Sequence, residues 1–160
     1  MELDRFDYKL LEVVQRNNRV TADALSELVG LSPTACQRRL KRMRDNEVIE
    51  ADVAIVSPAA VGSPLLMIVQ VVLERERTDI VDHFKAAIKR TPKILSGFYV
   101  TGEADFILLI TAKDMKDYEA FTREFFYDNQ DIRGFKTTVV MDRIKTSFFV
   151  PLEYPQGNAA

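Results

Sequence analysis

Two short stretches, each apolar along one side, meet across only three residues. "ADALSELV" (22–29) carries Ala22, Leu25, Leu28 and Val29 at helical spacing, and "PTACQRRLKRMRD" (33–45) carries Cys36, Leu40 and Met43. Between them, Gly30 can take the left-handed backbone that ends a helix. Ser32 can cap the next helix, and Pro33 occupies its first position, where a missing N–H costs nothing. Thr21 is placed to cap the first of the pair. A longer stretch, "LDRFDYKLLEVVQRN" (3–17), comes before, with Leu3, Phe6, Leu10, Val13 and Val14 on one side. Asp4 is its expected N-cap, Asp7 brings negative charge to its first turn, and Leu3 and Tyr8 stand where a hydrophobic staple forms. Three helices with a tight turn between the last two make a helix-turn-helix.

The rest of the chain has another rhythm. "VIEADVAIVSP" is β-branched, and Ile49 to Val56 is expected to be an extended hinge strand. "AAVGSP" is the expected linker. Leu65 to Leu73 reads as a buried strand. "TDIVDHFKAAIKR" reads as a helix capped by Thr78, with Ile80, Phe84, Ala87 and Ile88 inward. "ILSGFYVTG" and "DFILLITA" are two strands closed by a turn around Gly102. "DMKDYEAFTREFFYD" reads as a helix capped by Asp114, with Met115, Tyr118, Phe121 and Phe125 inward. "GFKTTVVMD" is the last strand, with "TSFFVP" as a short edge addition. The order β-α-β-β-α-β is ferredoxin-like. The expected class is α+β: an N-terminal three-helix helix-turn-helix domain (1–50), a hinge strand and linker (51–64), a C-terminal ferredoxin-like βαββαβ domain (65–152) and a tail (153–160).

Charge is distributed unevenly. The formal net charge is −2, yet Leu31 to Arg44 holds five basic residues and no acidic one. Residues 1–60 contain nine Lys/Arg and ten Asp/Glu, so the net positive charge of this half is confined to one helix. Opposite the Cys36–Leu40–Met43 stripe lie Thr34, Arg38, Lys41 and Arg42, flanked by Gln37 and Arg39. An α-helix fits the major groove of B-DNA, where Arg reads guanine edges and Gln reads adenine. Thr34, Gln37 and Arg38 are therefore base-contact candidates. Arg39, Lys41, Arg42 and Arg44 are phosphate-contact candidates, and the helix start at Ser32 can hold a further phosphate. A basic helix face can also be merely solvated; the short turn and three-helix context favour duplex DNA. With a chain this acidic, one copy should bind weakly and paired copies more tightly.

Other chemistries lack a signal. His83 is the single histidine and has no nucleophile or metal-ligand spacing around it, so no catalytic residue and no metal site is assigned and the chain is not read as an enzyme. Cys36, the only cysteine, excludes an internal disulfide and sits on the inward stripe, where a buried inert thiol is expected. The longest apolar run, Pro64 to Leu73, is far short of the ~20 residues of a membrane span, and the charged N-terminus does not resemble a signal peptide. A cytoplasmic location is expected.

Over about residues 3–152 the chain resembles the Lrp/AsnC, or feast/famine, regulators. The resemblance rests on "LDRFDYKLLEVVQRNNRVTADALSELVGLSPTACQRRLKRM" with "VIEADVAIVSP", and on "VTGEADFILLI" and "TTVVMDRIK". It implies a transcriptional regulator of amino-acid metabolism or transport genes, dimeric through sheet-face packing and often tetrameric or octameric. It implies an amino-acid effector, and no other cofactor, in a cleft between subunits near a Gly-x-x-Asp turn. Here that turn is Gly102, Glu103, Ala104 and Asp105, with Tyr99, Thr101 and Val139 as further lining candidates. Its glycine allows close backbone approach, its N–H groups suit a carboxylate, and its acids suit an ammonium. A plain hairpin turn explains the same residues without a ligand. One departure is visible: similar proteins usually have Gly before the Val-Ile that follows the recognition helix, where this chain has Glu47, so Asn46 is expected to take the left-handed turn. The competing reading is a ferredoxin-like small-molecule binding or catalytic domain with a helical protein-interaction module.

Overall fold

The computed structural model describes residues 1–75 and 77–154. It divides into two compact units: residues 1–54 with residues 145–154, and residues 55–144.

The first unit holds α1 (Arg5–Arg16), α2 (Ala22–Val29) and α3 (Pro33–Asp45). Each begins as its sequence dictates. Asp4 accepts from the N–H groups of Phe6 and Asp7 at 2.8 and 3.0 Å, and Asp7 returns a bond to the Asp4 N–H at 3.1 Å, a reciprocal capping box. Thr21 and Ser32 cap α2 and α3 through the N–H groups of Ala24 and Ala35. Gly30 ends α2 with φ +79°. Leu10, Leu11, Leu25, Val29, Cys36, Leu40 and Met43 form the core. Leu28, expected inward, is exposed, because the helix turns its edge past the reach of α1 and α3.

The end of α3 departs from expectation. Asn46 stays at φ −105°, and Glu47 takes the left-handed position at φ +57°. Val48 N–H bonds Met43 C=O at 2.9 Å and Glu47 N–H bonds Arg44 C=O at 3.0 Å. This is a Schellman ending, whose left-handed residue is usually glycine. Met43 and Val48 supply its apolar contact. The geometry is kept at the cost of a Cβ in a region that disfavours one.

Ile49 to Val56 forms no strand, having no ladder partner within the described chain. "TSFFVP" adds no edge strand either. Residues 145–154 instead group with the first unit, while 65–152 was expected as one domain. Gln15 grips the Val150 backbone at both ends, accepting its N–H at 2.7 Å and donating to its C=O at 3.3 Å. Arg16 lies 4.6 Å over the Phe149 ring, Leu152 packs on the helical core, and Tyr154 donates to Glu12. Of the expected tail, 155–160 lie outside the described residues.

The second unit starts with a short 3₁₀ turn, Ala59–Val61, inside the expected linker. It continues through β1 (Leu65–Leu73), α4 (Thr78–Arg90), β2 (Ile94–Tyr99), β3 (Phe106–Ala112), α5 (Met115–Thr122) and β4 (Ile132–Val139). The sheet is antiparallel in the order β2-β3-β1-β4, the ferredoxin-like arrangement. Met67, Val69 and Val71 pair with Ile110, Leu108 and Phe106 on the face that packs on α4 and α5 through Val81, Phe84, Tyr118, Phe121 and Phe126. Leu66, Ile68 and Val72 of β1 and Ile107 and Leu109 of β3 point to the other face. Thr78 is the first residue of α4 rather than its cap; Arg77 stands at the cap and makes no side-chain capping bond. Asp114 does cap α5, through the Asp117 N–H at 2.8 Å. Met115, in the first turn of α5, faces solvent instead of the sheet. A single π turn, Arg123–Tyr127, continues α5.

Replacing Glu47 by Gly removes the Cβ from the left-handed position, and the gain exceeds the added freedom of the unfolded chain. We expect Glu47→Gly to stabilise the first unit by about 0.5–1 kcal/mol in urea unfolding with an unchanged m-value. A lower midpoint would show that the backbone is not strained there.

Candidate nucleic-acid interface and effector turn

The inward stripe of α3 fixes what its other side presents. Cys36, Leu40 and Met43 are buried, and Thr34, Gln37, Arg38, Lys41 and Arg42 are exposed. Burial pushes the Cys36 thiol up from its ordinary range, so it stays a thiol.

The basic residues divide by partner. Asp7 is wholly buried, although it carries a carboxylate. Arg39 Nη1 reaches Asp7 Oδ1 at 2.9 Å and Asp4 Oδ2 at 2.7 Å, and its side chain is only 22% exposed. Arg42 Nη2 reaches Asp7 Oδ2 at 2.7 Å, with its side chain 46% exposed. The Asp7 bond raises the Arg39 guanidinium further above its usual range, outweighing burial. Desolvation opposes ionisation of Asp4, yet its bonds from the Asp7 N–H and from Arg39 hold its carboxyl below the usual range. Arg44 bonds Asp52 through Nε at 2.6 Å and Nη2 at 3.3 Å, while Asn18 donates to the same carboxylate at 2.7 Å. The Arg44 bond holds Asp52 below the ordinary carboxylate range. Lys41 meets Asp45 at 2.7 Å, with both side chains largely in water, where such a pair has little worth. Arg38 has no ionic partner among the described residues.

Arg39, expected on phosphates, is thus committed to α1. Its place beside the inward stripe allows this, because the capped start of α1 supplies two carboxylates there. Asp7 is the buried partner of this face, and sequence reasoning did not pair it with α3. The signal existed: Asp7, Leu10 and Leu11 share one side of α1, so the carboxylate had to go inward, and only the basic helix could neutralise it.

In the second unit, β2 and β3 are closed by the turn holding Thr101 to Asp105. Val100 N–H bonds Asp105 C=O, and Asp105 N–H bonds Val71 C=O, each at 2.9 Å. Gly102 has φ +123°, which favours glycine. Thr101, Gly102 and Glu103 are exposed, and Ala104 and Asp105 half-buried. Asp105 Oδ2 accepts the Leu73 N–H at 2.6 Å, so part of this carboxylate finishes the β1 edge. Tyr99 lies against Phe106, with Lys85 Nζ 4.7 Å from its ring centre. Val139 is not brought to the turn: it pairs with Met67, whereas the turn end of the sheet pairs Val71 with Phe106 and Phe135. Among the described residues, no group of three or more His, Cys, Asp or Glu could hold a metal ion. His83 is exposed.

Comparison with known proteins follows this division. Residues 3–50 match the family model for winged helix-turn-helix DNA-binding, and residues 66–148 match that for the Lrp/AsnC ligand binding domain. An uncharacterised HTH-type transcriptional regulator of Sinorhizobium fredii is 66% identical over 153 residues, 96% of this chain and 90% of that protein. The leucine-responsive regulatory protein of Haemophilus influenzae is 34% identical, covering 94% of this chain and 91% of its own. A Neisseria meningitidis transcriptional regulator, solved as a complex with L-methionine, superimposes with TM-score 0.87 at 33% identity, covering 94% and 97% of the two chains. With a DNA-binding helix-turn-helix at one end and this ligand-binding domain at the other, the chain belongs to the Lrp/AsnC family of transcriptional regulators.

Proposed function

We propose that Thr34, Gln37 and Arg38 read base edges in the major groove, while Lys41, Arg42, Arg44 and the α3 start at Ser32 hold phosphates. The observation that carries this is the outward side of α3. It is polar throughout, and Arg38, at its centre, has no competing ionic partner among the described residues. Arg39 is left out of the reading because Asp4 and Asp7 occupy it. A small amino acid at the Thr101–Asp105 turn, with Tyr99 beside it, serves as the effector. The leucine-responsive relative and the methionine-bound neighbour support this class of ligand. Val139 joins such a cleft only if a second subunit supplies it.

Two copies associate through the sheet face opposite α4 and α5, where Ile68 and Phe98 are exposed; the dimers assemble further into tetramers or octamers. A paired protein reads a roughly palindromic operator. The ligand acts by favouring the assembly or helix spacing to which it binds more tightly, since only that difference can shift DNA affinity. The regulated genes are those of amino-acid metabolism or transport, and the protein works in the cytoplasm.

Arg38→Ala is expected to weaken specific binding by ~1–3 kcal/mol and to relax preference at one base position. Lys41→Ala should weaken all sequences alike and flatten the salt dependence by about one unit. Gel shifts over several salt concentrations measure both, and an Arg38→Ala protein with unchanged sequence preference would refute the base-reading role. For the effector, a thermal-shift screen against the twenty amino acids should find a ligand that raises the melting temperature. Glu103→Ala and Asp105→Asn should lose that rise, the asparagine keeping an oxygen for the Leu73 N–H. Equal rises in all three proteins would remove the turn from the site.

A further inference from the structure

Arg42 is held in an unusual way for a side chain at the edge of a DNA-reading face. Its Nη2 donates to Oδ2 of a carboxylate that is wholly buried. Nearly half of the side chain is nonetheless in solvent, and neither Nε nor Nη1 has an acceptor among the described residues. Arg42 also stands four residues after Arg38 and eight after Thr34, on one ridge of α3. A guanidinium is a rigid fork: a carboxylate on one edge leaves the other free for a phosphate, in a direction already set.

The carboxylate beneath is just as constrained. Asp7 Oδ2 accepts from Arg42 and from the Asp4 N–H, while Oδ1 accepts from Arg39. Arg39 is in turn fixed by Asp4 and lies 5.7 Å from the Phe6 ring centre. Asp7 therefore cannot swing away to follow Arg42, and Arg42 must conform to Asp7.

We infer that Asp7 is a positioning residue for DNA binding: from inside the unit it orients Arg42 so that the arginine's free edge meets a backbone phosphate. This rests on the proposal that α3 faces DNA, and adds to it a buried acid on another helix that touches no nucleotide. Arg39 is the anchor of the pair and Arg42 the working member, although both are arginines bound to the same carboxylate.

The sign of one substitution separates positioning from simple charge. Asp7→Asn makes the first unit one charge more positive, so charge alone predicts tighter binding and an unchanged or steeper salt dependence. Positioning predicts the reverse: about five- to ten-fold weaker operator binding, and a salt slope shallower by about one unit, in protein shown to be folded by its circular dichroism. The experiment uses the full chain and the operator fragment bound best by the wild type, in gel shifts at four salt concentrations. Wild-type protein that retards no fragment would defeat the underlying DNA-contact reading; a binding wild type confines any failure to Asp7. Arg42→Met and Arg39→Met keep the inference testable if Asp7→Asn does not fold. Arg42→Met should lose the same unit of slope. Arg39→Met should lower the melting temperature and leave the slope of the folded protein as it was. In the double variant Asp7→Asn/Arg42→Met, affinity should fall no further than in Arg42→Met alone. Tighter binding by Asp7→Asn, an unchanged slope in Arg42→Met, or an equal loss of slope in Arg39→Met would each overturn the inference.

Discussion

A carboxylate without water must be neutralised where it lies, and in this protein that requirement joins the first helix to the third. Asp7 belongs to the capping box of α1 and to the ion pairs of α3 at once. A charge buried with its partners in place contributes modestly to stability, but one stripped of a partner costs about 3–5 kcal/mol. The arrangement therefore specifies more than it stabilises. The orientation of the exposed side of α3 follows from that constraint together with the apolar stripe of Cys36, Leu40 and Met43.

Much of this was legible in the sequence, because much of it is local. The caps at Asp4, Thr21, Ser32 and Asp114 each involve residues two or three apart, and all four form. The strand and helix order of the second unit follows from apolar periodicity, and its topology from that order. What escaped reading depends on distant partners. Arg39 and Arg42 find Asp7 across 32 and 35 residues, and although Arg39 flanks the inward stripe, the local pattern does not name the carboxylate that either one meets. Leu28 and Met115 lie at the margins of their helical stripes, where the neighbouring element decides burial. Glu47 was a near miss. The residues around it call for a left-handed turn, and the chain puts that turn on Glu47 although Asn46 would tolerate it better, because the Met43–Val48 contact sets the position.

The Thr101–Asp105 segment was legible as a turn. Gly102 and the exposed Thr101 and Glu103 are where spacing put them. The bond from the Leu73 N–H to Asp105 was not, since it depends on the pairing of β1 with β3. That bond ties the turn to the end of a strand that has neighbours on both sides. A ligand pulling on Asp105 would thus act on β1 directly, and β1 carries both the packed face and the bare one.

The clasp between Gln15 and Val150 spans 135 residues. A ribosome releases α1, α2 and α3 first, and these can collapse on one another at once. The pieces that cover Glu12, Gln15 and Arg16 arrive only after the whole sheet has been made. The α1 flank is thus covered by a segment made after the whole sheet, so a product broken off before that segment carries α3 with this flank still open.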